Sequence, residues 1–168
     1  KKTVHAGEAY GPESIFQAIT ELYADRVGHG VHLFRADMIQ DDEIEDKEGY
    51  VENLAQYIGD RRITLEICLT SNLQTNPEIN DLSQHSFGKM KERGLSVTFC
   101  TDNRLVSNTT VTDEILKAVQ TFDICSSELK NLIAYGFKRS FYPGTYQEKR
   151  NFVRQVLTAY EEVEKKSK

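Results

Sequence analysis

Residues 4–8 read Val4-His5-Ala6-Gly7-Glu8, and they place an imidazole and a carboxylate three positions apart at the end of a short strand-like segment. Two later apolar segments end in a similar way, in Gly28-His29-Gly30 and in Thr101-Asp102-Asn103. The carboxyl ends of parallel strands face a common crevice, in open sheets and in barrels alike. The pattern therefore predicts an enzyme whose site is assembled from several strand ends.

Strand-like and helix-like segments alternate as far as Cys100. Between the strands, apolar residues recur at helical spacing, with Pro12 at a predicted helix start and Gly94 past a predicted helix end. Parallel strands need such crossovers, so the alternation predicts βα units. The four segments that read as short buried strands are Thr3–His5, Arg26–Val31, Ile63–Leu69 and Leu95–Cys100.

The remainder of the chain is predicted to be helical. Three helical segments follow the last strand, over Val111–Phe122, Ser126–Arg139 and Gln147–Lys166, and the last of them is a long amphipathic run. The acidic stretch Asp41–Glu48 is typical of an exposed loop. Because no low-complexity linker divides the chain, we expect residues 1–168 to form a single partial domain.

Composition excludes several classes of partner. The sequence has 21 Lys and Arg against 26 Asp and Glu, a net charge of −5, and no basic stripe that would bind a phosphate backbone, so we expect no nucleic-acid partner. No apolar run approaches the roughly 18 residues that span a bilayer, and we expect no membrane partner and a cytoplasmic location. The sequence does not begin with Met, and the His5 motif follows its first residues directly. We therefore expect it to be a piece of a longer protein.

The three cysteines predict neither a disulfide framework nor a cysteine zinc site. Their number is odd and no two of them have a CxxC spacing; they are Cys68, Cys100 and Cys125. We therefore expect buried free thiols.

Four residues at the predicted strand ends are candidates for catalysis. A histidine nitrogen and a carboxylate oxygen both bind Zn²⁺, so His5 and Asp102 could supply part of a zinc site. Glu8 lies in a glycine-containing turn that can aim its carboxylate at the metal, and the glycines beside His29 leave room for a ligand. Taken singly, His5 could be a surface histidine, Asp102 a helix cap, Glu8 a first-turn glutamate and His29 a core histidine.

Several other polar residues have weaker patterns. His32 and His85 are expected to be structural. Ser71 and Asn72 could line a ligand, although we favour a role in satisfying the backbone of a turn. Glu66 is expected near the polar centre of a barrel interior, as a candidate supporting group.

Four ordered motifs resemble the adenosine deaminase family of metal-dependent hydrolases. They are His-Ala-Gly-Glu at 5–8, Arg-Val-Gly-His-Gly at 26–30, Leu-Glu-Ile-Cys-Leu-Thr-Ser-Asn-Leu-Gln-Thr at 65–75 and Thr-Asp-Asn-Arg-Leu at 101–105. The similarity runs through essentially the whole chain. It implies an α/β fold, the carboxyl-terminal half of a TIM-type (β/α)₈ barrel with additional C-terminal helices.

The resemblance also implies a role for each candidate. His5 would be a zinc ligand, and Glu8 would donate a proton to purine N1. His29 would orient or deprotonate the zinc-bound water, and Asp102 would be both a ligand and a hydrogen-bond partner of the hydroxide. The implied reaction is hydrolytic deamination of adenosine to inosine and ammonia.

Two features depart from the family pattern. The His-x-His pair that supplies two more zinc ligands has no counterpart, so activity would require the N-terminal half of the barrel or another subunit. Asn103 stands where many members carry an aspartate that contacts purine N7, and an asparagine amide can donate to that acceptor without titrating.

Alternative functions remain open at this point. Deaminases of adenine, of AMP or of a modified adenosine would share the metal core. A non-catalytic half-barrel that assembles through its open strand edges is the alternative from another class.

Overall fold

The computed structural model describes residues 1–167, and its centre is a four-stranded parallel sheet. The strands lie side by side in the order in which they occur along the chain. Successive βα units produce this order, because each crossover sets the next strand beside the last. The strands are β1 (Thr3–Ala6), β2 (Arg26–His29), β3 (Thr64–Ile67) and β4 (Val97–Phe99).

Helices connect the strands and follow the last of them. Two short 3₁₀ helices, Ala36–Met38 and Leu82–Gln84, lie within the connections. The helices are α1 (Pro12–Thr20), α2 (Lys47–Arg61), α3 (Leu69–Thr75), α4 (Phe87–Glu92), α5 (Arg104–Ser107), α6 (Val111–Thr121), α7 (Ser126–Lys138) and α8 (Tyr146–Lys166).

The four strands and the three terminal helices lie where the sequence predicts them, although β1 is one residue longer than predicted and β2, β3 and β4 are shorter. β2 ends before Val31 because His29 and Gly30 both adopt left-handed conformations, with φ values of 67° and 66°. β3 ends before Leu69 because that residue begins α3, a helix that the pattern did not predict. That residues 1–168 form a single domain stays a prediction.

The two faces of the sheet differ in polarity, since side chains alternate along each strand. Val27, Leu65 and Val97 are fully buried and pack against the helices. On the opposite face, Arg26 Nε donates to Glu66 Oε1 at 2.6 Å, and Thr3 Oγ1 donates to Glu66 Oε2 at 3.0 Å. Glu66 therefore lies on a polar face, as expected, and is paired there with its strand neighbours.

The cysteines follow the sequence analysis only in part, because Cys68 is buried, Cys100 is half-buried and Cys125 is exposed. All three cysteines are free. Burial raises the pKa of Cys100 to about 11 and raises that of Cys68 further. Cys125 was expected to be buried, and this is wrong, because it caps the N-terminus of α7 at the surface. Within residues 1–167, no helix combines the length and apolarity needed to cross a bilayer.

A glycine is required where the turn after β1 meets α1 and the end of β2. Gly7 has a φ of 65°, and a Cβ atom there would lie 2.5 Å from Ile15 Cδ1 and 3.1 Å from Gly30 Cα. Both the backbone conformation and the packing therefore exclude a side chain.

His85 is a buried polar residue between the second 3₁₀ helix and α4. Its side chain is hydrogen-bonded at both ring nitrogens, to the Phe87 backbone N–H at 3.0 Å and to Asn72 Oδ1 at 3.3 Å. Burial, followed by the positive charges that His29 and His32 would carry, lowers the pKa of His85 to about 4.

Gly7→Ala should destabilise the protein more than Gly94→Ala. Gly94 has a similar φ of 64° but no atom within 4 Å of the added Cβ, so this control introduces backbone strain alone. The strain costs about 1 kcal/mol, and the clash at Gly7 adds roughly 1–3 kcal/mol. Urea unfolding followed by circular dichroism measures both losses. Equal losses would show that the turn after β1 is loosely packed.

Acid should destabilise the protein through His85. In the folded state this histidine stays neutral down to about pH 4, whereas an exposed histidine titrates near 6.5. The unfolded chain therefore binds an extra proton between these values, and the free energy of unfolding falls as the pH drops through this window. His85→Gln should reduce the acid loss by about 2–3 kcal/mol. Urea unfolding at neutral pH and at pH ~4.5 tests this; equal acid losses in the two proteins would contradict it.

Candidate functional site

Three of the predicted site residues meet at the carboxyl ends of β1 and β2. Each of His5, Glu8 and His29 offers a possible metal-binding atom within 4.8 Å of the others. His29 Nε2 lies 3.1 Å from His5 Nδ1 and 3.3 Å from Glu8 Oε2. The predicted convergence of strand ends therefore holds for these three side chains.

The left-handed conformation of His29 is what brings its ring to the cluster. His29 is two residues beyond Val27, so regular strand alternation would direct it among the core residues and away from His5. At a φ of 67° the alternation ends. The ring is 1% exposed and yet meets the His5 ring edge-on, with the centroids 4.8 Å apart.

Backbone hydrogen bonds hold the turns after β1 and β2 together. Gly30 N donates to Ala6 O at 2.9 Å, and His32 N donates to Gly7 O at 2.8 Å. In the His32 side chain, Nε2 lies 3.4 Å from Asn76 Nδ2. His32 thus supports the turn that carries Glu8, in agreement with its expected structural role.

The far side of His29 is held by α3. Asn72 is fully buried, and its Nδ2 lies 3.1 Å from His29 Nδ1. Its neighbour Ser71 donates from Oγ to Asp102 Oδ2 at 2.8 Å. The interpretation of Ser71 and Asn72 as residues that satisfy a turn backbone is therefore wrong. Because α3 pairs its own backbone groups, both side chains are free to bond to side chains of the site.

Asp102 lies outside the cluster of His5, Glu8 and His29 within residues 1–167. It is exposed and left-handed, with a φ of 53°, and its carboxylate is oriented by Ser71. A role for Asp102 as a metal ligand stays a prediction.

Asn103 is the N-cap of α5. Its Oδ1 accepts from the Val106 backbone N–H at 3.2 Å. The side chain is exposed, and its amide N–H groups have no partner among residues 1–167. The cap therefore leaves a donor available beside Asp102.

Burial disfavours the charged form of the imidazoles behind the site. Desolvation lowers the pKa of His29, and the Glu8 carboxylate opposes part of this shift. Desolvation likewise lowers the pKa of His32, together with the Arg35 guanidinium. Neutral rings can accept or donate a hydrogen bond at either nitrogen, and only a neutral ring can bind a metal.

The exposed part of the cluster suits a metal. His5 Nε2 has no hydrogen-bond partner in the described part of the chain, and the His5 side chain is exposed. The Glu8 side chain is 28% exposed. Imidazole nitrogen and carboxylate oxygen together form a donor set typical of zinc, and catalytic zinc needs such solvent access.

Comparison with known proteins gives one family. The sequence model of the adenosine deaminase family matches residues 1–159. An adenosine deaminase of Mycobacterium sp. (strain JLS) is 40% identical over 143 residues, which are 84% of this chain and 38% of that protein. The chain thus spans about two fifths of the length of the curated relatives it matches.

Solved structures give the same fold. The N6-mAMP deaminase of Arabidopsis has a TM-score of 0.67 at 26% identity, over 94% of this chain and 40% of that one. An amidohydrolase from Burkholderia ambifaria, solved with bound Zn, has a TM-score of 0.74 at 19% identity, over 97% of this chain and 42% of that one. The predicted fold class, the carboxyl-terminal half of a TIM-type (β/α)₈ barrel with additional C-terminal helices, is confirmed. The chain belongs to the adenosine deaminase family.

Proposed function

We propose that the protein carrying this chain is a zinc-dependent deaminase that hydrolyses adenosine to inosine and ammonia. The observation that supports the proposal most directly is the meeting of His5, Glu8 and His29 at the carboxyl ends of β1 and β2. The family match supports the reaction type. A cytoplasmic location stays a prediction.

His5 and Asp102 are the proposed zinc ligands of this chain. Both stand at strand ends, both are exposed, and neither needs to leave a buried partner in order to bind. A zinc ion held by these residues would lower the pKa of water far below its ordinary value, to about 7, and would so supply a hydroxide equivalent at neutral pH. The two further ligands that the family pattern leads us to expect would come from an N-terminal half of the barrel or from another subunit.

Glu8 is the proposed proton donor. Its Oε2 lies 3.3 Å from His29 Nε2, so the carboxyl group shares the cluster with the proposed ligand His5. Protonation of purine N1 by Glu8 makes C6 more electrophilic. The oxygen of water then adds to C6, one of its protons passes to the amino group and the other restores Glu8, and the C6–N bond breaks to release ammonia. By the family resemblance, His29 and Asp102 would be the hydrogen-bond partners of the attacking oxygen.

Asn103 is the proposed contact to purine N7. Its Oδ1 is already used by the helix cap, so its amide N–H groups face outward as donors. N7 is an acceptor, which makes the pair complementary.

We propose adenosine as the substrate because relatives such as the Mycobacterium protein, at 40% identity, are named adenosine deaminases. Deaminases of adenine, AMP or a modified adenosine remain the alternatives, and the Arabidopsis structure favours the nucleotide among them. The alternative that is not an enzyme is a non-catalytic half-barrel that assembles with another chain. It is supported because β1 and β4 are both edge strands of this sheet, and edge strands can pair with another chain.

Glu8→Gln, in the longest form of the protein, should lower kcat by about 10²–10⁴-fold and leave zinc bound, since it removes an acid and not a ligand. His5→Ala is the matched control and should lose zinc and turnover together. Steady-state assays of adenosine deamination and elemental analysis of zinc report the two effects separately. Unchanged turnover in Glu8→Gln would refute the acid role.

Replacement of purine N7 by C–H should weaken transition-state binding by about 1–3 kcal/mol, because the Asn103 amide loses its acceptor. Values of kcat/KM for adenosine and 7-deazaadenosine measure this. Asn103→Asp should stay active at low pH and lose activity as the carboxylate ionises, because only its protonated form donates. Equal kcat/KM values for the two substrates would show that Asn103 does not contact N7.

A further inference from the structure

We propose that Asn72 and His85 are positioning residues that hold His29 in the tautomer carrying its proton on Nε2. The proposal rests on the proposed function for its catalytic meaning, but the hydrogen-bond chain that supports it is independent of the substrate.

The chain of hydrogen bonds begins at a backbone N–H group, whose role as a donor is certain. A backbone N–H can only donate, and the Phe87 N–H lies 3.0 Å from His85 Nδ1. His85 Nδ1 is therefore an acceptor and carries no proton. His85 is 2% exposed and burial holds its pKa at about 4, so the ring is neutral and its single proton is on Nε2.

The His85 proton fixes the orientation of the Asn72 amide. His85 Nε2 lies 3.3 Å from Asn72 Oδ1, which accepts the proton. The flipped amide would set an N–H group against the His85 N–H group. Asn72 is fully buried, so no exposed surface offers that donor another partner.

The orientation of the Asn72 amide in turn determines which ring nitrogen of His29 carries the proton. Asn72 Nδ2 donates to His29 Nδ1 over 3.1 Å, so Nδ1 carries no proton. A neutral His29 then presents Nε2–H to the site, where His5 Nδ1 lies at 3.1 Å and Glu8 Oε2 at 3.3 Å. Glu8 Oε2 can accept the hydrogen bond from His29 Nε2–H whichever ring nitrogen of His5 holds a metal.

The tautomer decides between the two roles that the family resemblance allows for His29. A ring that presents Nε2–H donates a hydrogen bond to the attacking oxygen and orients it. It has no lone pair at Nε2 with which to take a proton from that oxygen. His29 is thus an orienting donor of a hydrogen bond and not the base.

A second buried pair provides a matched control. Asn76 is 8% exposed and His32 is 6% exposed, and their side chains lie 3.4 Å apart. Asn76→Asp makes the same chemical change as Asn72→Asp but lies outside the chain of hydrogen bonds from Phe87 to His29.

Nitrogen-15 NMR of the longest form of the protein, labelled at histidine, tests the proposal with and without zinc. In the unmodified protein, Nδ1 of both His29 and His85 should be unprotonated. A proton on Nδ1 of either ring would overturn the proposal, and this measurement needs no variant to fold.

The Asn72→Asp variant provides a second test of the proposal. A carboxylate cannot donate, so His29 should move its proton to Nδ1, and kcat should fall with zinc content unchanged. Asn76→Asp should leave the His29 tautomer as in the unmodified protein. A folded Asn72→Asp protein with Nδ1 of His29 still unprotonated would overturn the proposal. If NMR shows the expected tautomers but the protein deaminates no purine substrate, the proposed function is refuted and the positioning roles of Asn72 and His85 are still supported.

Discussion

The close approach of two backbone turns, one after β1 and one after β2, is the constraint on which the site depends. Gly7 and Gly30 both adopt left-handed conformations, and a Cβ on Gly7 would come within 3.1 Å of Gly30 Cα. This contact brings residues from two strands into one cluster without a long loop. Side chains on rigid strand ends are held more precisely than side chains on loops, so the close approach of these turns has a chemical use.

A buried carboxylate fixes the helix that supports the cluster. Glu114 of α6 is fully buried and accepts hydrogen bonds from the Thr70 backbone N–H at 3.0 Å and from Thr109 Oγ1 at 2.7 Å. A buried charge without partners would be costly, so Glu114 and the N-terminus of α3 are held together. The two residues after Thr70 reach Asp102 and His29. The position of α6 thus determines how accurately α3 presents its side chains.

Hydrophobic pattern and motif spacing predicted the four strands, the three terminal helices and the cluster of His5, Glu8 and His29, because these depend on local periodicity and on the common direction of parallel strands. Asn72 and its bond to His29 were not predictable in the same way. A buried asparagine in a polar run has the same sequence signature as a turn residue, and only tertiary contacts decide what its amide faces. The apolar residue Leu69 likewise fits a strand pattern or a helix start, and α3 was missed for that reason.

The site divides into a buried half and an exposed half with different functions. His29, Asn72 and His85 are each at most 2% exposed, and a chain of hydrogen bonds from the Phe87 N–H through His85 and Asn72 holds the His29 ring at Nδ1 and leaves its Nε2 facing the site. His5, Asp102 and Asn103 are exposed and keep ligand or donor atoms free. A site that must bind a metal and a purine needs such a division, because groups already fully paired cannot bind, and groups without buried support cannot hold their geometry. In the proposed function, the exposed half therefore receives the ligands and substrate, and the buried half determines which hydrogen-bond donor they meet.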